Sequence, residues 1–397
     1  MSALKIVAIA LLSLLLVLCL VVFGLLFSIK MTAFNTGYVK NRLETLPVAA
    51  LLEEAEFDEG MEDNPELVEL LKSVILDNET EIKQQTGELV DIVYDYLKGK
   101  RDNLEPAQAL SQTVMDTDFA TSILASADLA PLMEEIIENM LDEVILPYDL
   151  SVEPYIDDIA YDLEPWLKTQ ATAAIPPVFD YILSFSQDTN ITISLEQPTA
   201  IIRDTLRQEF LQSLPAEFAG MTPAELEQEF DRVFNDFAGD IPTEIDISAE
   251  FIASDMQSEV TRSLADAEEA FTESRRYIGY FNLTYGMLIG FILLLIAGII
   301  LIYREVRGAS RTLGSIFLSH GVFSLIAVFI ARSVSGGQMS RLEDIPSSMQ
   351  EWITQSIAST LTPMLILAIV LLIIGAALLA VSFFYKRNQP AGSYTSS

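Results

Sequence analysis

Residues 256–303 read MQSEVTRSLADAEEAFTESRRYIGYFNLTYGMLIGFILLLIAGIILIY, and they join two kinds of chain in one run. Met256, Val260, Leu264, Ala267 and Phe271, with Ile252 before them, recur every three or four positions, the spacing of one helix face. No proline or glycine interrupts that row before Gly279. After Arg275-Arg276 the chain turns apolar, and Tyr277–Tyr303 has only Asn282 and Thr284 as polar interruptions near its start. A spanning helix needs about 20 predominantly apolar residues. The pattern therefore predicts one helix that starts as a stalk over 250–276 and continues across a bilayer over 277–303.

Three further stretches are apolar enough to span. Ile6 to Phe27 is free of charge, Leu313–Ala331 carries Ser315, Ser319, His320 and Ser324, and Leu361–Tyr385 carries Thr362, Pro363 and Ser382. The spans are set at 6–28, 277–303, 313–332 and 361–385. Short cytoplasmic loops are enriched in Lys and Arg. Arg304, Arg307 and Arg311 in the loop 304–312, with Lys386 and Arg387 in the tail 386–397, place those segments inside. Residues 1–5 then form a short cytoplasmic N-terminus, the tail is expected to be disordered, and 29–276 lie outside. Lys30, Arg275 and Arg276 point weakly the other way, but a large domain translocates largely regardless of its charge. The first apolar run exceeds the roughly 7–15 residues of a signal-peptide core and no small-residue cleavage site follows, so it reads as a retained signal anchor. Within 333–360, Met349, Trp352, Ile353 and Ile357 form, with Leu361 after them, an amphipathic stripe leading into the last span, with Pro363 as a kink. The alternative, for this stripe and for 250–276, is an ordinary amphipathic helix lying on the membrane surface or packed in the domain.

Charge separates these segments. Residues 31–274 hold 53 acids against 12 bases, a net of −41, and the remainder nets +7, giving −34 overall. Cys19, the only cysteine, lies within the first span, so the external region folds without disulfides, which suggests a prokaryotic cell-surface protein. The fold expected is mainly α: a four-helix transmembrane bundle with a large acidic, mostly helical ectodomain over 29–249. Helical rows recur at Leu67–Ile75, at Ile82–Leu97 closed by Gly99, and at Leu129–Val144. Thr222-Pro223-Ala224-Glu225 is a capping box. A minor β component is expected at 190–195 and 244–247, which alternate and are rich in β-branched residues.

An internal similarity occurs at an offset of 85. Lys83, Gln85, Val93, Asp95 and Tyr96 reappear as Lys168, Gln170, Val178, Asp180 and Tyr181. After an insertion, Leu104-Glu105 matches Leu195-Glu196, with Pro106 and Pro198 close behind. Either a helix–turn–helix unit is duplicated (about 64–115 and 150–212), or two acidic amphipathic helices agree by chance. Pro176-Pro177 is expected to break the second helix where the first stays whole.

Chemistry is sparsely signalled. His320 is the only histidine and sits within the third span, so Ser-His-Asp and Cys-His hydrolases and His-based zinc sites are excluded outside. A hydrogen-bonded structural histidine is favoured over a proton relay, because no span offers an ionisable partner. No P-loop, dinucleotide fingerprint or metalloprotease motif is present. Carboxylate pairs such as Glu134-Glu135 and Asp157-Asp158 arise in any chain this acidic. Two loops are candidate calcium sites, since calcium takes six to eight oxygen ligands: Asp58, Glu59, Glu62 and Asp63 around Gly60, and Asp236, Asp240 and Glu244 around Gly239. Asp116-x-Asp118 opens an EF-hand pattern that Ala120 ends. Gly286-x-x-x-Gly290 and Ala376-x-x-x-Ala380 permit close helix approach, within the bundle or between copies.

The reading that follows is a non-enzymatic, multi-pass membrane protein. Its acidic ectodomain binds a partner protein, a ligand or divalent cations; the other partners are the bilayer and a second copy of the chain. Nucleic acid is excluded by charge sign. A first alternative is a subunit of a transport complex relaying motion between ectodomain and a cytoplasmic partner, a likeness of topology alone. A second is a lipid- or hydrophobe-binding ectodomain.

Overall fold

A computed structural model of the chain describes residues 3–53, 65–142, 153–189, 191–212, 218, 220–238, 242–247, 254–339 and 347–384. Its helices are α1 (Ala3–Met31), α2 (Thr36–Glu44), α3 (Val48–Glu53), α4 (Pro65–Asp77), α5 (Glu79–Leu97), α6 (Pro106–Ser111), α7 (Thr117–Ser126) and α8 (Ala130–Asp142). They continue as α9 (Ile156–Ile182), α10 (Glu196–Gln212), α11 (Pro223–Ala238), α12 (Ser254–Tyr303), α13 (Val306–Met339), α14 (Ser347–Thr360) and α15 (Thr362–Phe384). Strands β1 (Ile191–Ser194) and β2 (Glu244–Ile247) pair antiparallel, Ile191 opposite Ile247 and Ser194 opposite Glu244. The fold is mainly helical with this minor sheet, and four helices are long and apolar enough to cross a membrane. The row over 256–303 is one helix, as its spacing predicts. The chain divides into two compact units: Met1–Glu54, Tyr94–Arg101 and Thr272–Ser397, and Ala55–Val93 with Asp102–Phe271.

In the first unit the four apolar helices share a core. Leu16, Cys19 and Leu20 of α1 meet Ile292, Leu295 and Ile299 of α12, Leu313, Ile316 and Phe317 of α13, and Leu371 of α15. The least apolar of the four is the most enclosed: α13 has a mean hydropathy of 2.1 against 2.8 to 3.4, yet 44% of its apolar window is buried against 17% for the others. Its polar groups explain this. His320 and Ser324 are buried, whereas the outward Ser315 and Ser319 hydroxyls donate to the carbonyls of Thr312 and Ile316 on their own helix. Small residues seven apart let α13 and α15 approach backbone to backbone. Gly314 and Gly321 face Gly375 and Ala368. A Cβ on Gly375 would lie 2.6 Å from the Leu318 nitrogen and 2.9 Å from the Gly314 oxygen, and one on Gly321 2.9 Å from the Ala368 oxygen. Seven residues further, Ser382 donates to the Arg307 carbonyl at 3.2 Å.

One expectation is corrected in this unit and another is met. The basic loop set at 304–312 is only Arg304 and Glu305, and Arg307 and Arg311 stand on the first turns of α13. Arg304 takes a left-handed φ of 53°, the Tyr303 ring covers Gly308 where a Cβ would collide with it, and Thr312 donates to the Tyr303 hydroxyl at 2.7 Å. A side-chain-free position under the ring is what lets α13 start so early. The amphipathic stripe leads into the last apolar helix with a single interruption at Leu361, the kink expected at Pro363, which has no N–H for the Ser359 carbonyl. α14 packs on the unit itself. The Tyr38 hydroxyl of α2 reaches the Ser356 carbonyl (3.1 Å), Ser359 Oγ (2.7 Å) and Thr360 Oγ1 (2.9 Å), and Trp352 Nε1 donates to the Arg42 carbonyl (3.2 Å).

The second unit is built on a separate core of Met133, Ile159, Ala160, Leu163, Leu206, Phe210, Phe218, Leu226, Phe230 and Phe234. Phe210 is fully buried, with ring centroids 5.4 Å from Phe218 and 5.7 Å from Phe230, within the range of favourable aromatic pairs. The predicted capping box forms at the start of α11. The Glu225 carboxylate accepts from the Thr222 N–H and hydroxyl, both at 2.8 Å, and the Thr222 hydroxyl accepts from the Glu225 N–H. Arg203–Asp231 and Arg207–Glu227 ion pairs bridge α10 and α11. Asp116, the false start of an EF-hand, instead caps α7 by accepting from the Phe119 N–H at 3.0 Å. Pro176-Pro177 does not break α9, which runs from Ile156 to Ile182 through Pro165, Pro176 and Pro177. The carbonyls those last two prolines leave unbonded, Thr172 and Ala173, belong to half-buried and exposed residues that water can reach.

The two segments related by the offset of 85 share local geometry. At the end of α5 the Gly99 N–H donates to Tyr96 O (3.0 Å), and those of Lys100 and Arg101 to Asp95 O (2.8 and 3.2 Å). At the end of α9 the Ser184 N–H donates to Tyr181 O (3.0 Å), and those of Phe185 and Ser186 to Asp180 O (2.7 and 3.0 Å). Gly99 and Ser184 are both left-handed, with φ of 76° and 62°. Both helices also carry an i,i+4 ion pair at matched positions, Lys83–Glu79 (2.5 Å) and Lys168–Glu164 (2.8 Å).

Candidate functional site

A groove of about 270 Å³ lies along α12 in the second unit. Three short pieces of backbone make it. The start of α6 gives Glu105, Pro106 and Ala107; the end of α9 gives Leu183 and Ser184; α12 gives Thr261, Leu264, Ala265 and Glu268. Proline at the first position of α6 fixes the turn that carries Glu105. At α9 the left-handed Ser184 turns the chain sharply, so that Leu183 is buried while Ser184 faces out. The Ser184 and Thr261 hydroxyls are hydrogen-bonded at 2.8 Å, and Gln257 Nε2 donates to the Tyr181 carbonyl at 2.8 Å. These bonds hold the end of α9 against α12. The walls are apolar, while Glu105 and Glu268 stand exposed at the rim. Between residues 257 and 271, α12 adds Glu259, Asp266 and Glu269 against one base, Arg262.

Such a groove can take one or two apolar side chains, with negative charge around them. The Ser184 and Thr261 hydroxyls in it bond each other, and the single histidine belongs to α13. The residues were not singled out by sequence as a site, although the offset placed Ser184 at the helix stop marked in the first segment by Gly99.

The sequence-derived candidates fall elsewhere. Asp236 lies on α11 beside Arg232 (3.2 Å), and Glu244 lies in β2 opposite Ser194. Asp58, Glu59, Glu62, Asp63 and Asp240 lie outside the described residues. Among the described residues no three His, Cys, Asp or Glu side chains gather as a metal-binding group. Burial, with the carboxylates of Asp157 and Glu66 nearby, holds Glu134 above the usual carboxylate range. His320 is buried with Nε2 3.3 Å from Ser324 Oγ. The small-residue pairs are not where the helices of this chain meet. A Cβ on Gly286 or Gly290 meets no atom within 4 Å, and Ala376 and Ala380 are exposed. Close approach occurs at Gly314, Gly321 and Gly375 instead, because the four-residue spacing marks a helix able to pack closely without choosing its partner.

No protein-family model, curated protein or solved structure matches the chain.

Proposed function

We propose that the chain is a non-enzymatic, multi-pass cell-surface protein whose acidic helical domain lies outside the membrane and captures a partner protein. The partner contributes a cationic, amphipathic segment whose apolar side chains enter the groove on α12. The observation that carries this reading is the groove's chemistry, an apolar trough with carboxylates at the rim in a region of net charge −41. Apolar contact supplies affinity in such helix-in-groove recognition, and opposite charge supplies steering and selection. In the same reading 79–101 and 164–186 are copies of one helix–turn unit, supported by their matched turns and ion pairs.

The test uses the full chain in micelles and a labelled synthetic helix of Leu and Lys, with Leu recurring every three or four positions on one face, read by fluorescence anisotropy. Leu264→Arg fills the trough and adds a like charge, so binding should weaken at least about tenfold, equivalent to ~1.4 kcal/mol. Equal binding by wild type and Leu264→Arg would mean that bulk acidity alone attracts the peptide, and would sink the groove. Turnover of any substrate by the purified chain in an unbiased hydrolase screen would end the non-enzymatic reading.

A second reading, a transport-complex subunit that relays motion, is favoured by the continuity of α12 from Ser254 to Tyr303. Copurification with an ATPase after gentle crosslinking would promote it, and absence of one would count against it.

A further inference from the structure

One end of the first unit carries cations held by aromatic rings. Ser28 Oγ donates to the Thr360 carbonyl at 2.5 Å, the Phe34 and Phe281 rings meet edge to face at 4.7 Å, and Arg332 donates to Thr362 Oγ1 at 3.0 Å. These contacts bring the end of α1, the start of the apolar part of α12, the end of α13 and the start of α15 to one level. At that level Lys30 Nζ lies 4.4 Å from the Tyr285 ring centroid, Arg42 5.7 Å from Tyr38, Lys98 5.2 Å from Tyr94 and Arg275 4.7 Å from Tyr96. Arg276 is exposed beside them, followed by the exposed Tyr277 and Tyr280.

The manner of holding matters. A cation on the face of a tyrosine is positioned by the ring's quadrupole, and its charge is not cancelled as it is in an ion pair. Lys30, Arg42, Lys98 and Arg276 form no ion pair with a described residue, and the Arg42 Nε is enclosed without a hydrogen-bond partner. Other bases face carboxylates: Lys100 meets Asp95 in the same unit, and Lys83, Lys168, Arg203, Arg207 and Arg232 do so in the second. Tyrosines beside uncancelled bases at the end of apolar helices match the headgroup zone of a bilayer, where amphipathic rings and basic side chains concentrate.

We infer that this end of the bundle binds the phosphates of anionic phospholipids, with Lys30 and Arg276 as anion-binding groups and the tyrosine rings at the glycerol level. The inference rests on the reading that the four apolar helices span a bilayer. It explains why bases gather here in a stretch of chain that is otherwise strongly acidic. An acidic domain tethered to a membrane is repelled by anionic lipid, and bases at this end of the first unit supply the opposite preference.

The experiment reconstitutes the full chain in vesicles of phosphatidylcholine mixed with phosphatidylglycerol, with bromine on the acyl chains of one lipid at a time. A tryptophan introduced by Tyr280→Trp, exposed on the apolar part of α12 four residues beyond Arg276, is the reporter, in a Trp166→Phe and Trp352→Phe background. Quenching by brominated phosphatidylcholine alone reports that the helices are in the bilayer; its absence overturns the spanning reading itself. Preferential quenching by brominated phosphatidylglycerol reports the site, and equal quenching by the two lipids overturns it. Preference should fall about fivefold for each charge removed in Lys30→Gln and Arg276→Gln, the effect of ~1 kcal/mol per base near a surface. Lys30→Arg and Arg276→Lys should retain it. Inorganic phosphate, against chloride at equal ionic strength, should leave the preference unchanged; if it abolishes the preference, the site takes free phosphate and the lipid assignment is wrong. Arg307→Gln with Arg311→Gln is the control at the other end of the helices and should change nothing; loss of preference there would place the lipid site at that end.

Discussion

Gly375→Ala tests the backbone seam between α13 and α15. The added Cβ would stand 2.6 Å from the Leu318 nitrogen and 2.9 Å from the Gly314 oxygen, both backbone atoms that cannot rotate aside. Ordinary contact begins near ~3.4 Å, so the helices must part by roughly 0.8 Å from the 2.6 Å position. A radial gap of that size forfeits about a quarter to a half of each contact's attraction along the seam. Overfilled cores cost about 1–3 kcal/mol, and the better helix propensity of alanine offsets up to ~1 kcal/mol, leaving a net loss of about 1–2 kcal/mol. Gly286→Ala is the matched control, since its Cβ meets nothing within 4 Å and should be neutral or slightly stabilising. Cys19 provides the assay. It is the only cysteine and is 7% exposed within the shared core, so a fluorogenic maleimide labels it when the bundle opens. In a temperature ramp of the full chain in micelles, Gly375→Ala should label at a lower temperature than wild type. At fixed temperature its opened fraction should rise about 5- to 30-fold, the equivalent of that free energy. Identical labelling of Gly375→Ala and Gly286→Ala would refute the seam.

The matched helix stops should respond in opposite directions. Gly99→Ala puts a side chain at a φ of 76° and should destabilise by about 1–2 kcal/mol in urea unfolding, whereas Ser184→Gly relieves the same conformation and should stabilise, less the lost bond to Thr261. The same sign for both would break the equivalence of the two turns. Acid should unfold the second unit for an identifiable reason. The Thr222 N–H and hydroxyl beside Glu225, Lys168 beside Glu164, and Arg207 beside Glu227 hold those carboxyls below their usual range. Depressed carboxylates contribute stability that is present above the unfolded value near ~4.3 and lost as pH falls through the folded one. Glu134, raised, works in the other direction and is protonated first. Trp166 fluorescence in a Trp352→Phe background should therefore hold steady down to about pH 5 and report unfolding below about pH 4. Glu225→Ala should flatten that acid limb, and an unchanged limb would remove the cap from the account.

The features legible in the sequence are those whose cause is local. The length of apolar runs set the spans, the three-to-four spacing made 254–303 one helix, and Thr222 with Glu225 announced their cap. The alternation at 190–195 and 244–247 marked two strands, although their pairing joins residues far apart. What escaped depends on contacts that spacing does not specify. Gly314 and Gly321 opposite Ala368 and Gly375 form a seam only because α13 and α15 are neighbours, and the four-residue motifs at Gly286 and Ala376 drew the eye away from the seven-residue ones. Pro176-Pro177 reads as a stop, yet the surrounding helix has enough packed surface through Ile159, Leu163 and Tyr181 to continue past two missing donors. The groove was invisible because its parts come from three distant segments.

The two-residue connection at Arg304-Glu305 has a consequence for how such a chain is made. A linker of that length spans about 7 Å, so the end of α12 and the start of α13 stay side by side. α13 nevertheless packs chiefly on α15, whose Gly375 and Ala368 lie against Gly314 and Gly321, so the helix that covers it is the last one made. With His320 and Ser324 buried in the finished structure, α13 stays incomplete until α15 has been synthesised, although its neighbour in sequence is already present. A chain stopped before residue 362 should therefore leave α13 as its least stable helix.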